Sequence, residues 1–130
     1  MFRLILALAA QAAAPAAEAA VPADIDSLPP LPLVRRMPGL PASSDFVRDE
    51  VRAGRCAAVD GGTDTQVLTV DVAVLVTGEG QVRRMLPRAI GCSSVEQYAS
   101  GLLSRMMRRN VAAPGTTGWY RTSISFSWEP

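Results

Sequence analysis

Histidine and lysine are both missing from this chain of 130 residues. Without histidine, the sequence has no ordinary acid–base side chain for neutral pH, and it lacks the commonest zinc ligand. Without lysine, Schiff-base chemistry and Ser–Lys pairs are excluded. All 13 basic residues are arginines, which we interpret as genomic composition bias. These absences argue against catalysis, and we expect no catalytic residue, no cofactor site and no metal site.

Aromatic residues and net charge are also scarce. Aromatic residues make up 5% of the chain, and its formal net charge is +1. This length allows one domain, and the few large side chains imply a small core of the kind that often needs a covalent staple. The balanced charge gives no basis for attraction to nucleic acid or to an acidic membrane surface.

The first residues have the layout of a secretory signal peptide. Residues 1–3 carry a positive charge, residues 4–10 are apolar, and small-residue cleavage sites follow at 7–9 (A-L-A) and 10–12 (A-Q-A). The apolar run is shorter than the ~20 residues that a membrane span needs. We therefore predict a signal peptide at 1–12 and a periplasmic protein without a stable span after cleavage. The alternative is an Ala-rich helix that stays in the protein.

An Ala/Pro-rich linker is predicted at 13–43. Seven of the ten prolines lie between residues 11 and 43, and proline disfavours both helix and sheet. We expect an extended, partly polyproline II arm. The segment Leu28–Leu33 (LPPLPL) would either dock on a partner or serve as a spacer whose leucines rest on the domain's own surface. The folded domain is predicted at 44–130.

Two strands of a hairpin follow a short helix and a loop. The first strand alternates strictly, and its predicted buried face consists of Leu68, Val70, Val72, Val74 and Val76. Residues 78–80 (G-E-G) provide a turn, and a second strand is predicted at about 81–90. Pro87 lacks an amide hydrogen, which indicates an edge position or a bulge.

Two helices are predicted in the domain. Ser44 is the expected N-cap of a short helix at 45–54. Ser93 and Glu96 form a capping box that begins a main helix at about 94–109. The end of this helix carries a basic group that we expect to be solvated: Arg105, Arg108 and Arg109.

The last strand also alternates strictly. The predicted core side is Tyr120, Thr122, Ile124, Phe126 and Trp128. The predicted wet side is Trp119, Arg121, Ser123, Ser125 and Ser127. Together, the elements predict an α+β fold in which a three-stranded antiparallel sheet is packed by one main helix, with a short helix before it.

The chain has two cysteines, Cys56 and Cys92. In an exported protein an even cysteine count favours a disulfide, and we predict one between these two residues. The alternative is a reactive thiol at Cys92, where the start of the main helix would lower the thiol pKa. No C-x-x-C spacing supports that alternative.

Three segments resemble the TonB C-terminal domain family. They are 74–82 (VLVTGEGQV), 90–96 (IGCSSVE) and 120–128 (YRTSISFSW), which match a strand with a Gly-containing turn, the start of the main helix and the closing aromatic strand. The resemblance implies a small periplasmic protein that binds by adding a partner's strand to its sheet. The partner it implies is an envelope or outer-membrane protein, and the partner-binding strand would carry Trp119, Arg121, Ser123, Ser125 and Ser127. An open sheet edge would also permit a homodimer.

Two other classes of function remain open. One is a structural or stress-related envelope protein that uses the same scaffold and has no role in transport. The other is an enzyme that depends on a thiol or on the carboxylates of Asp60, Asp64 and Asp71. Two of these aspartates lie in a predicted turn and the third on a strand, so they form no acid–base pair at a useful spacing.

Overall fold

The computed structural model describes residues 20–36, 44–62 and 64–130, and the predicted signal peptide lies outside them. The fold is α+β, with a four-stranded antiparallel sheet and two helices on one face of it. The elements in chain order are α1 (Ser44–Arg52), β1 (Val59–Asp60), β2 (Gln66–Val76), β3 (Val82–Pro87), α2 (Ser93–Met106) and β4 (Gly118–Trp128).

Strand β2 is the centre of the sheet, and its helix-facing side forms the core. All five residues predicted for that face are at most 4% exposed, which confirms the prediction. Strand β4 pairs with β2 along its whole length, from Gln66 opposite Trp128 to Val76 opposite Gly118. On β4, Ile124 and Phe126 are buried on the same side as the helices. The alternation in both strands therefore predicted their inner faces correctly.

Along its other hydrogen-bonding edge, opposite β4, strand β2 pairs with two short strands. The sheet therefore has four strands, and the prediction of three was wrong. β3 pairs with Val72–Val76, and β1 pairs with Gln66 and Val67. A two-residue strand has no alternation by which a sequence could reveal it. A tight loop brings β1 into place, and there the Gly61 N–H donates to the Thr65 carbonyl at 2.7 Å.

Strand β3 is an edge strand, as Pro87 indicated. Within the described ranges it pairs with β2 alone, and its register shifts between Leu75 and Val76. It ends at Pro87 and is shorter than the predicted 81–90. Just beyond it, the Arg88 N–H donates to the Asp71 carbonyl at 2.7 Å.

Helix α2 packs through Val95, Ala99 and Leu103, all of which are fully buried. It begins one residue before the predicted start and ends at Met106, three residues before the predicted end. The predicted cap was one residue out, since Cys92 is the N-cap and makes no side-chain capping bond. Arg108 and Arg109 therefore follow the helix, and both are exposed.

Helix α1 is anchored by Val47, which is fully buried, and by ring contact between Phe46 and Tyr98 at 4.6 Å. It runs two residues short of the predicted end, and Gly54 follows it with φ of 78°. Ser44 is the first residue of the helix, and its hydroxyl accepts the Ser127 N–H of β4 at 3.2 Å. The start of α1 is thereby attached to the sheet edge.

Packed structure extends N-terminal to Ser44, where the sequence predicted only a linker. A short 3₁₀ turn at Ile25–Ser27 contacts β2 and β4. Leu31 is 8% exposed and belongs to the main core cluster, and Leu33 packs against it. Within the segment Leu28–Leu33, leucines therefore rest on the domain itself. We call residues 20–36 the arm.

Candidate functional site at the outer edge of strand β4

The backbone of β4 shows which of its groups face away from the sheet. Consecutive residues of a strand direct their amide and carbonyl groups to opposite sides. Both backbone groups of Arg121 bind the arm rather than β2. The Ser127 N–H likewise points away from β2, to Ser44. The odd-numbered residues of β4 therefore present an outer row of hydrogen-bonding groups.

The arm occupies this row at one residue, Arg121. The Arg121 N–H donates to the Pro29 carbonyl at 2.8 Å, and the Leu31 N–H donates to the Arg121 carbonyl at 2.8 Å. The resulting bridge between Pro30 and Arg121 is parallel. The Arg121 Nε also donates to the Leu28 carbonyl at 2.9 Å. A single strand residue thus makes three hydrogen bonds to the arm.

After Leu31 the arm leaves β4. The Pro32 carbonyl accepts the Ala112 N–H at 2.8 Å, and Leu33 bridges to Val111. Asn110, which is 4% exposed, fixes the far end. Its Oδ1 accepts the Arg35 N–H at 2.7 Å, and its Nδ2 donates to the Arg35 carbonyl at 3.0 Å. The arm therefore crosses from the sheet edge to the end of α2.

Ser123 and Ser125 lie between the two occupied positions of the edge. Across the part of the chain that the structure describes, no hydrogen bond to the outward backbone groups of either serine is recorded. The Ser125 hydroxyl is 2.9 Å from that of Thr69 on β2, which leaves its backbone groups unaffected. Among the described residues, this stretch of the edge therefore has unpaired outward backbone groups.

The predicted wet side of β4 is exposed at Arg121, Ser123, Ser125 and Ser127. Trp119 differs, because its ring is partly covered and the guanidinium of Arg84 lies 5.7 Å from its centroid. The structure therefore brings the five predicted residues onto one edge strand. What the sequence did not reveal is that the chain's own arm lies against that strand.

The arm also covers part of the sheet face opposite the helices. Ala73 on that face is 1% exposed. Arg88 forms ion pairs with Asp26 of the arm at 2.7 Å and with Asp71 of β2 at 3.2 Å. The hydrogen bond to Asp26 is the main cause of a raised pKa of the Arg88 guanidinium. The ion pairs hold the arm turn beside the sheet.

The two cysteines form the predicted disulfide, with their Cα atoms 5.2 Å apart. The bond joins the exit of α1 to the first turn of α2 and leaves no free thiol. Beside it, Glu50 accepts a hydrogen bond from the Arg55 Nε at 2.6 Å and one from the Ser94 hydroxyl at 3.2 Å. The bond from Arg55, and after it that from Ser94, lowers the pKa of Glu50 against the opposing effect of burial. The sequence analysis missed this link between the helices.

Two of the three candidate carboxylates, those of Asp60 and Asp71, have structural partners. The Asp60 Oδ1 accepts the Gly62 N–H at 2.9 Å, Asp64 is an exposed residue with φ of 56°, and Asp71 is paired with Arg88. Among the described residues, no group of three or more acidic or cysteine side chains has the geometry to hold a metal ion. No helix in the described ranges is long and apolar enough to cross a membrane.

A cleft of about 480 Å³ lies between the β2–β3 turn and the end of α2. Its lining includes the apolar side chains of Met107 and Val111 and the exposed arginines Arg108 and Arg109. This end of the molecule contains the predicted solvated arginines, and it does not meet the outer edge of β4.

Comparison with models of known protein families, with curated proteins and with solved structures found no match.

Proposed function

We propose that this protein is a non-catalytic periplasmic interaction module that binds an envelope or outer-membrane partner by strand addition at the outer edge of β4. The observation that carries the proposal is the pair of outward-facing residues Ser123 and Ser125, whose backbone groups have no recorded partner within the described ranges. Such a row of donors and acceptors is a template for another strand.

The opposite edge of the sheet is a poor template. β3 has six residues, its register is interrupted, and it carries adjacent arginines at 83 and 84 and a proline at its end. Short length, bulges, charge and proline are the features that protect an edge from pairing. β4 has eleven residues, with serines on its exposed side. The two edges therefore differ in their fitness for strand addition, and β4 is the better one.

The resemblance of the sequence to the TonB C-terminal domain family supports the same mode of binding. The disulfide between Cys56 and Cys92 supports an oxidising compartment, because such bonds persist in exported proteins. The sequence pattern of residues 1–12 supports export through a signal peptide. These three lines of support are independent of the edge geometry.

The test removes the amide hydrogen of Ser123, which faces away from β2, and leaves every hydrogen bond between β2 and β4 in place. Proline is tolerated on an edge strand where its nitrogen faces outward, so Ser123→Pro should fold. The matched control, Ser123→Ala, keeps the amide. We expect wild type and Ser123→Ala to capture the same envelope proteins from periplasmic and membrane extracts, and Ser123→Pro to lose them. Equal capture by a folded Ser123→Pro chain would contradict the proposal.

A further inference from the structure

The arm indicates the kind of segment that the β4 edge accepts. Resting on the proposed strand addition, we infer that the edge recognises an extended leucine–proline segment parallel to β4. Residues 28–33 of the chain's own arm hold this site until a partner segment of the same chemistry displaces them. The arm is thus both a cover for the edge and an example of its ligand.

The hydrogen bonds explain why prolines fit. The edge uses the carbonyl of Pro29 and the amide of Leu31, while the residue between them, Pro30, gives nothing to Arg121. Proline has no amide hydrogen, but none is needed at either of these positions. Proline also preorganises the extended backbone, which lowers the entropy lost on binding. A segment of the form L-P-P-L therefore meets every backbone requirement of the site.

The side chain of Leu31 gives the site its selectivity. It is 8% exposed and belongs to the core cluster that also contains Met107 and Ile124. A charged residue in its place would be desolvated without a partner. By contrast, Val34 is 64% exposed on the same arm. The position equivalent to Leu31 must therefore be apolar in a partner, whereas the position equivalent to Val34 is unrestricted.

The arm's contacts with β4 are few enough to be exchanged. Its recorded hydrogen bonds to β4 go to one residue of an eleven-residue strand, whereas a longer partner segment would also reach Ser123 and Ser125. Against this, the arm is tethered and has the advantage of a high effective concentration. The apparent affinity for a partner falls by the fraction of molecules whose site is open. Loosening the arm should therefore strengthen binding in trans.

The experiment uses the full chain and a fluorescent peptide with the sequence of residues 26–36. Leu31→Asp removes the arm from its own site, and Val34→Asp adds the same charge at the exposed position. We expect Leu31→Asp to bind the peptide about tenfold more tightly than wild type or more. We expect Val34→Asp to match wild type. A peptide in which the leucine equivalent to Leu31 is replaced by aspartate should bind none of the chains.

A second variant keeps the test valid if Leu31→Asp does not fold. Leu31→Ala also loosens the arm, because it truncates the arm's buried side chain without adding a charge and leaves the residues of the site itself unchanged. It should raise peptide affinity in the same direction. Unchanged affinity in a folded loosened variant, or equal binding of the aspartate peptide, overturns the inference. A wild-type dimer in solution that Leu31→Asp makes monomeric would also overturn it, because the arm's partner would then be a second copy of this chain.

The outcomes separate this inference from the proposed function. If capture of envelope proteins depends on the Ser123 amide but is neither increased by Leu31→Asp nor inhibited by the peptide, the inference alone fails. If a folded Ser123→Pro chain captures partners normally, strand addition itself fails, whatever the peptide does.

Discussion

Ser100 on α2 has the one buried side-chain oxygen or nitrogen that lacks a hydrogen-bond partner in the part of the chain described by the structure. A hydroxyl in that state retains its desolvation penalty without compensation. Serine is also a poorer helix former than alanine. Both effects predict that the wild-type residue reduces stability.

Replacing Ser100 by alanine should therefore stabilise the protein. We expect Ser100→Ala to raise the free energy of unfolding by about 1–2 kcal/mol, with the larger part from removal of the unpaired hydroxyl. Ser104→Ala is the matched control, because Ser104 is exposed on the same helix and its replacement changes helix propensity alone. Urea unfolding measures both. Equal stabilisation by the two variants would show that the Ser100 hydroxyl has a partner in solution.

At the scale of elements, the interior sides of β2 and β4 were predictable and β1 was not. Alternation over eleven residues fixes which side chains face the core, and both strands have that length. The two residues of β1 pair with β2 through the turn that follows Asp60, and two residues are too few to show an alternation in the sequence. The N-cap of α2 is Cys92, whose side chain is held in the disulfide and makes no capping bond. The Glu96 carboxylate accepts the Cys92 N–H at 3.0 Å, which is the backbone half of the predicted capping box, one residue earlier than predicted.

The candidate site was predictable only in part. The alternation of apolar and polar side chains was enough to predict the five outward-facing residues of β4. The cover over Arg121 did not, because Leu28 and Arg121 are 93 residues apart and their contact leaves no local pattern. Proline density argued against helix and sheet in the arm, where the structure has a 3₁₀ turn at Ile25–Ser27 and an isolated bridge from Pro30 to β4. It gave no information on packing, since a polyproline-like segment can bury leucines without forming regular structure.

The link between α1 and α2 predicts a dependence on pH. Glu50 is stabilised as a carboxylate by Arg55 and Ser94, so its pKa in the folded state is below its ordinary value of 4.5. The link therefore contributes stability above pH 4.5 and loses it as the pH falls through the lowered pKa. Glu50→Gln should melt at a lower temperature than wild type near neutral pH, and the difference should close in acid.

Thermal unfolding between about pH 7 and pH 2 measures this difference. The control is Glu79→Gln, which removes an exposed carboxylate on the β2–β3 turn. We expect its melting temperature to follow that of wild type across the range. A gap between wild type and Glu50→Gln that stays constant in acid would mean that Glu50 acts through packing rather than through its charge.

At the scale of the whole molecule, a covalent bond adds to the noncovalent contacts that join α1 to the rest of the domain. The disulfide joins the exit of α1 to α2, the Phe46 ring packs on Tyr98, and the Ser44 hydroxyl binds β4. The core itself is small, and valine is its commonest residue. A domain of this kind has a net stability of roughly 5–10 kcal/mol, so a single covalent link is a large part of it.

Reduction of the disulfide should therefore shift the unfolding transition of the whole domain. The cysteines are 36 residues apart, and closing a loop of that length is worth about 4 kcal/mol in the chain-entropy model. We expect guanidinium unfolding to show a loss of about that size when reductant is added. The double variant Cys56→Ser/Cys92→Ser should have the unfolding midpoint of the reduced protein, and its midpoint should not change when reductant is added. If oxidised and reduced wild type unfold at the same midpoint, the noncovalent contacts of α1 are sufficient to stabilise the domain. The need for a disulfide would then no longer argue that the protein works in an oxidising compartment.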